Sequence, residues 1–122
     1  MAPEMALGEG VDGRADIYAL GCVAYYLLTG QLVFEASTSL QMIARHLQTV
    51  PRPPSERIDR PIPKRLDEVV LSCLAKDPRQ RPQTAAELAR ALAAIDAPSA
   101  GQLEARQWWI LASAPATVHA VN

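Results

Sequence analysis

The chain has 122 residues, 49% of them hydrophobic, and a formal net charge of -1, so it can form one small domain with a single marginal core. Acids and bases are interspersed, which gives no indication of binding to nucleic acid or to an anionic membrane. Cys22 and Cys73 lie far apart in apolar helical patterns without a CxxC motif. This favours reduced, buried thiols in a cytoplasmic protein over a zinc site or a disulfide.

A glycine-rich loop is predicted from Met5 to Arg14, after the short segment Ala2-Pro3-Glu4. Residues 8 to 13 match the GxGxxG pattern of phosphate-binding loops, but that pattern functions only directly after a strand, and too few residues precede Gly8 to form one. We therefore interpret it as a surface connection. The residues after Met1 do not form a signal peptide pattern, so we expect no export by that route.

The segment from Asp16 to Gly30 is apolar or small on every side, which predicts a central helix buried all round. It is too short to span a membrane, and Asp16 and three tyrosines interrupt it. Gly30 is typical of the residue that ends a helix.

A second helix is predicted after Ser37 or Thr38, either of which can cap it. Its apolar positions have helical spacing and define the predicted packed side: Leu40, Ile43, Ala44 and Leu47. His46 falls among the polar positions of this helix. We therefore expect a solvated histidine rather than a catalytic one.

Five prolines between Thr49 and Pro63 predict a semi-extended connector, because proline fixes φ and removes a backbone donor. Residues 51 to 54 satisfy PxxP, which leaves two interpretations open: a ligand for a proline-binding groove, or a loop packed on its own domain.

Two amphipathic helices and a tail complete the chain. The first begins with Pro63, ends at Asp77-Pro78, and buries one apolar side: Leu66, Val69, Val70, Cys73 and Leu74. The second begins at a capping box from Thr84 to Glu87 and runs to Asp96. In the tail, residues 97–122, Gln102 to Leu111 are compatible with a short helix. Its Trp108 and Trp109 suit a binding platform, a membrane-interface anchor or packing on the domain.

Three motifs in series resemble the eukaryotic-type Ser/Thr protein kinases, in their bacterial form. Ala2-Pro3-Glu4 matches the APE motif, the run from Asp16 through Gly21 to Leu27-Leu28-Thr29-Gly30 is similar to helix F, and residues 73 to 82 resemble the segment before the last helix. The resemblance implies an all-α fold over residues 1–96. This fold is the lower half of the C-terminal lobe, with helices F, G, H and I around a buried central helix.

The resemblance also implies roles for individual residues. Ala2, Pro3, Glu4, Asp16, Gly21 and Arg81 match structural motif positions. Glu4 would form a buried ion pair with Arg81. Asp16 would accept hydrogen bonds from the catalytic loop, or cap its own helix. Val23 and Leu27 would anchor the family's hydrophobic spine, and Gln41, Arg45 and His46 would lie on a docking surface for substrates or regulators. Tyr26 departs from the family pattern, since many relatives have glutamate at this position. The resemblance therefore does not imply that this helix recognises basic substrates through an acidic residue.

The 122 residues contain no Gly-rich phosphate loop, strand lysine, His-Arg-Asp or Asp-Phe-Gly motif. We therefore assign no catalytic, cofactor-binding or metal-binding residue, although the family uses ATP and Mg²⁺, and we expect the isolated chain to be inactive. In the family these motifs precede APE, so we expect a kinase fragment whose upstream DNA encodes them.

The alternative is a stand-alone interaction module that uses helix G and the tail tryptophans. Its partners would be the substrates or regulators of a kinase, with no nucleic acid. Self-association is also expected, through the side of helix F that helix E and the catalytic loop would cover.

Overall fold

The computed structural model describes residues 2–95, and all of its regular structure is helical. The five α-helices are α1 (Pro3–Leu7), α2 (Gly13–Thr29), α3 (Ser39–Gln48), α4 (Lys64–Cys73) and α5 (Ala85–Ala93). Two single-turn 3-10 helices, Pro54–Glu56 and Pro78–Gln80, flank α4. No strand occurs within the described range, and the all-α prediction is confirmed. The predicted tail with Trp108 and Trp109 lies outside it.

The central helix is α2, and its two ends have separate causes. Asp12 caps the start, since its carboxylate accepts a hydrogen bond from the Arg14 N–H at 2.9 Å. Gly30 ends the helix with a φ of 70°, and its N–H donates to the carbonyl of Tyr26 at 2.7 Å. Glycine adopts this left-handed conformation without Cβ strain. The predicted end is confirmed, but the helix begins three residues before Asp16, which is exposed and does not cap it.

Only one side of α2 is buried. Tyr18 and Tyr25 are fully buried there and form the centre of the core. The opposite side carries four large exposed side chains: Leu20, Val23, Tyr26 and Leu27. The prediction that this helix is buried all round is therefore wrong for residues 2–95. Its composition indicates neighbours on every side, whereas the elements that the structure describes cover one.

Gly21 allows α2 and α4 to approach each other closely. A Cβ at this position would lie 2.7 Å from the Cβ of Cys73, the last residue of α4, and 3.1 Å from Cδ2 of Leu74, which follows it; both residues are buried. Contacts of that length force packed elements apart, so Gly21 carries a packing role.

We expect Gly21→Ala to lower the free energy of unfolding by about 1 to 3 kcal/mol, because the added methyl overpacks the junction between α2 and α4. Urea denaturation followed by circular dichroism measures the change. Gly13→Ala is the matched control, since a Cβ there meets nothing within 4 Å and alanine favours the helix. Equal losses for both variants would contradict the packing role.

The segment predicted as a glycine-rich loop contains more helix than expected. Pro3 occupies the first position of α1, where its missing N–H breaks no helical hydrogen bond. Gly8, at a φ of 70°, ends this helix. The prediction of a loop from Met5 to Arg14 is therefore wrong at both ends, and the connection is confined to residues 8–12.

The helix α3 has the predicted cap but packs through a different side. The Thr38 hydroxyl accepts a hydrogen bond from the Gln41 N–H at 3.1 Å. Leu40 is 77% exposed, whereas His46 is only 8% exposed. The predicted packed side is therefore wrong at Leu40 and Ala44, which are both exposed, whereas Ile43 and Leu47 are half-buried. The prediction of a solvated His46 is wrong. The spacing of apolar residues could not indicate that His46 has a buried hydrogen-bond partner, the Tyr18 hydroxyl.

The proline-rich segment packs on the core as a connector with one 3-10 turn. Pro54, the last residue of the PxxP pattern, is fully buried, which favours the packed interpretation of that pattern. Tyr25 donates its hydroxyl to the carbonyl of Arg52 at 2.8 Å, which fixes the segment against α2.

The last two α-helices follow the predicted pattern with shifted ends. α4 buries Val69, Val70 and Cys73, but it ends at Cys73 rather than at Asp77, which caps the following 3-10 turn. At α5 the Thr84 hydroxyl accepts from the Glu87 N–H at 3.1 Å. Glu87 completes the box by accepting from the N–H of Gln83 at 2.7 Å rather than from that of Thr84.

Candidate functional site

A buried ion pair joins the start of the described chain to the turn before α5. Nη1 of Arg81 lies 2.7 Å from Oε2 of Glu4, and Nη2 lies 2.9 Å from Oε1. Each residue is 3% exposed. This bidentate geometry is the strongest form of a carboxylate–guanidinium pair. Hydrogen bonds from Arg81 lower the pKa of Glu4, so this carboxylate is ionised at neutral pH and the predicted pair is present.

The other donors of Arg81 also have partners. Its Nε donates to the carbonyl of Ala75 at 2.8 Å, and Nη1 donates to that of Arg14 at 2.9 Å. The guanidinium carbon lies 4.9 Å from the centre of the Tyr18 ring, close enough for a cation–π interaction. One side chain therefore connects α1, α2 and the turn after α4. Ala2, in the same motif as Glu4, is itself buried.

His46 belongs to the core and not to an exposed docking surface. Its Nδ1 lies 2.7 Å from the Tyr18 hydroxyl, and its ring makes edge contacts with Tyr18 and Phe34. Burial lowers the pKa of His46 to about 4, so the ring is neutral at physiological pH. The three rings connect α2, the segment after it and α3.

The other two residues of the predicted docking surface are exposed. The Gln41 carbonyl oxygen accepts hydrogen bonds from the N–H and hydroxyl of Ser37, at 3.0 and 2.8 Å, so this side chain supports the start of α3. Arg45 extends from the exposed side of α3. The docking role assigned to Gln41 and Arg45 stays a prediction.

Val23 and Leu27, the predicted spine positions, lie on the exposed side of α2 at 54% and 76% exposure. They border an apolar groove of about 480 Å³ between α2, α4 and α5. Leu88 and Leu92 of α5 line its far wall. The structure therefore brings both residues to one surface, whereas the partners implied by the resemblance are not among residues 2–95.

Three residues have defined contacts that the sequence predictions do not assign to them. Asp12 caps α2, and an aspartate directly before an apolar helix is a signal that identifies such a cap. Arg57 donates to the carbonyl of Leu32 at 2.8 Å, and Lys76 donates to that of Arg45 at 3.3 Å. These last contacts depend on tertiary packing, so no local pattern indicates them.

Two kinds of feature are missing from the part of the chain that the structure describes. Residues 2–95 hold no group of three or more side chains arranged to bind a metal ion. None of the described helices has the length and hydropathy needed to cross a membrane.

The family model and the relatives that match this chain are all protein kinases. A family model described as the protein kinase domain matches residues 1–92. The chain is 46% identical over 88 residues to serine/threonine-protein kinase PknB of Mycobacterium leprae, covering 72% of the chain and 14% of that protein. It is 41% identical over 121 residues to PknB of Mycolicibacterium smegmatis, covering 95% of the chain and 19% of that protein. Pkn1 of Myxococcus xanthus is 45% identical over 93 residues, covering 75% and 13%. The chain thus spans less than a fifth of these relatives' lengths.

Proposed function

The chain belongs to the protein kinase domain family, and we propose that it serves as the C-terminal part of a bacterial serine/threonine kinase domain. The reaction of such a domain transfers the γ-phosphoryl group of ATP to serine or threonine hydroxyls of proteins. The Glu4–Arg81 ion pair carries this proposal, because it joins two of the three family motifs in a buried bidentate contact. ATP and Mg²⁺ would be held by residues outside these 122, since the motifs for both are absent from the sequence.

In this role the chain contributes a rigid base and a docking surface. Arg81 and Tyr18 fix the segment that follows the activation loop in such kinases, and the exposed side of α3 meets protein substrates or regulators through Gln41 and Arg45. A cytoplasmic location is part of the proposal. It is supported by Cys22 and Cys73, which are both free thiols in the described part of the chain, as is usual for cysteines in a reducing compartment.

A chimeric kinase tests this function. The segment of Mycobacterium leprae PknB that matches the chain over 88 residues is replaced by the corresponding residues of this chain. We expect the chimera to phosphorylate a generic protein substrate with Mg-ATP, whereas the isolated chain does not. Arg81→Lys in the chimera should reduce the rate, because lysine cannot form the bidentate pair.

Arg79→Lys is the matched control, since the Arg79 side chain is 82% exposed and its one ion pair among residues 2–95 is with Asp77; it should leave the rate unchanged. A chimera that melts cooperatively but transfers no phosphoryl group, beside an active parent kinase, would contradict the proposal.

The exposed side of α2 gives a second expectation. We propose that the rest of a kinase domain covers this surface, and that in the isolated chain it drives self-association. Each large apolar side chain left in water forfeits roughly 1.5 to 3 kcal/mol of burial. Leu27→Lys should therefore shift the chain toward the monomer in analytical ultracentrifugation. Leu40→Lys is the control, because Leu40 is equally exposed, at 77%, but lies on α3. A monomeric unmodified chain would contradict this expectation.

A further inference from the structure

Three arginines line one surface hollow of about 300 Å³ near the C-terminal end of α3. Arg45 comes from α3, and Arg52 and Arg57 come from the proline-rich segment. Glu35 is the one acidic residue that lines the same hollow. Among the described residues Glu35 forms no ion pair with these arginines. The hollow therefore has an excess of positive charge.

Arg57 is held in place by neutral groups. Its Nη1 donates to the carbonyl of Leu32 at 2.8 Å, and its Nη2 donates to the side-chain oxygen of Gln31. The guanidinium carbon lies 5.7 Å from the centre of the Tyr25 ring. These contacts fix the orientation of the guanidinium group while leaving its charge uncompensated by any carboxylate of residues 2–95.

The other two arginines have side chains available for a ligand. Arg52 lies 3.8 Å from Glu56, and both side chains are mostly exposed, at 65% and 59%, so this ion pair contributes little. The Arg45 side chain is exposed and forms no ion pair in the described part of the chain.

The end of α3 does not by itself account for these cations. Carbonyl groups at a helix C-terminus attract positive charge, but here Lys76 donates to one of them, the carbonyl of Arg45. The three arginines of the hollow are therefore present in addition to a lysine that already binds the end of α3.

An apolar margin adjoins the charged one. Val33, Phe34 and Val50 also line the hollow. Val33 and Phe34 are buried, whereas Val50 is 82% exposed. A ligand that fits this surface carries a strong anion next to an apolar group. Three guanidinium groups line the hollow against the single lining carboxylate of Glu35, and Glu56 forms only a weak, exposed pair with Arg52 beside it. This excess of positive charge corresponds better to a phosphoryl dianion than to a single carboxylate.

We propose that the hollow binds a phosphoserine or phosphothreonine side chain of a protein partner, with the neighbouring apolar residue of that partner against Val50. The guanidinium groups donate hydrogen bonds to the phosphoryl oxygens, because the planar arrangement of their N–H groups matches the geometry of phosphate. This binding goes beyond the proposed kinase function and requires no phosphoryl transfer, so each can fail without the other.

Fluorescence anisotropy with the full 122-residue chain tests the site. The probe is a labelled peptide that contains one phosphothreonine followed by leucine in an alanine-glycine background. We expect this peptide to bind at least about tenfold more tightly than its unphosphorylated form, as new charge-assisted hydrogen bonds predict. The double variant Arg45→Ala with Arg52→Ala should bind the phosphopeptide about tenfold more weakly than the unmodified chain does. Its circular dichroism spectrum should be unchanged.

The matched control is Arg60→Ala with Arg65→Ala, which removes the same charge from exposed positions outside the hollow; its affinity should equal that of the unmodified chain. Equal weakening by both double variants would reduce the effect to net charge and overturn the proposal. A glutamate peptide that binds as tightly as the phosphopeptide would overturn the phosphoryl ligand. Phosphatidylserine vesicles that bind through Arg45 and Arg52 when the phosphopeptide does not would overturn the protein partner.

Discussion

Arg81→Ala is expected to lower the free energy of unfolding by about 3 to 5 kcal/mol, because it leaves the Glu4 carboxylate buried without its counter-charge. The Arg81 side chain is fully buried and that of Glu4 is 4% exposed. The variant also removes the donors to the carbonyls of Ala75 and Arg14. Urea denaturation of the full chain at pH 7 measures the loss.

Two further variants separate charge burial from other causes. Arg79→Ala removes an exposed arginine that pairs with Asp77 at 2.9 Å, and it should cost less than about 1 kcal/mol. The double variant Glu4→Leu with Arg81→Met removes both charges and should recover part of the stability lost in Arg81→Ala. If Arg81→Ala and Arg79→Ala were equally mild, the buried Glu4–Arg81 pair would not stabilise the fold.

Acidification should destabilise the fold through His46. Burial and, to a smaller extent, the positive charge of the half-buried Lys76 lower the pKa of His46 from 6.5 to about 4 in the folded chain. The hydrogen-bond partner of the ring is the neutral Tyr18 hydroxyl. Between these two pH values the unfolded chain binds a proton that the folded chain does not. The free energy of unfolding therefore falls as the pH falls from 6.5 to 4, by about 3 kcal/mol in total, and below pH 4 this contribution falls no further.

The variant His46→Gln isolates this effect. Glutamine does not titrate, so the loss of stability between pH 7 and pH 4.5 should be smaller in the variant by roughly 2 kcal/mol. Carboxylates such as Glu4, whose pKa Arg81 lowers, also lose stabilising charge in acid, but they do so in both proteins. Urea denaturation at the two pH values gives the comparison. The same pH dependence in both would show that folding leaves the pKa of His46 unchanged, and would contradict the prediction.

Contacts between distant motifs were the most predictable part of the site. Glu4 and Arg81 belong to short segments whose order and spacing resemble one family, and that resemblance implied that the two side chains form a buried ion pair. The ends of helices were predictable where a single residue determines them, as Thr38, Thr84 and Gly30 do.

The side on which a helix packs was less predictable than its existence. The apolar pattern of α3 favoured Leu40, but burial of the polar His46 is stabilised by the Tyr18 hydroxyl, which lies 28 residues earlier in sequence. The arginines of the hollow were also unpredictable, because contacts between residues distant in sequence bring them together. Arg57 reaches Leu32 across 25 residues, and no local periodicity reports a contact of that kind.

The separation of Glu4 and Arg81 has a kinetic consequence. The two residues are 77 positions apart, and closing a flexible loop of that length costs on the order of 4 kcal/mol of chain entropy. Neighbouring helices such as α4 and α5 can pair before that closure, since contacts close in sequence form faster. The ion pair is then largely absent from the folding transition state, and its loss accelerates unfolding more than it slows folding. Glu4 and Arg81 thereby set how long the native state persists, while the local helix pairs set how fast it forms.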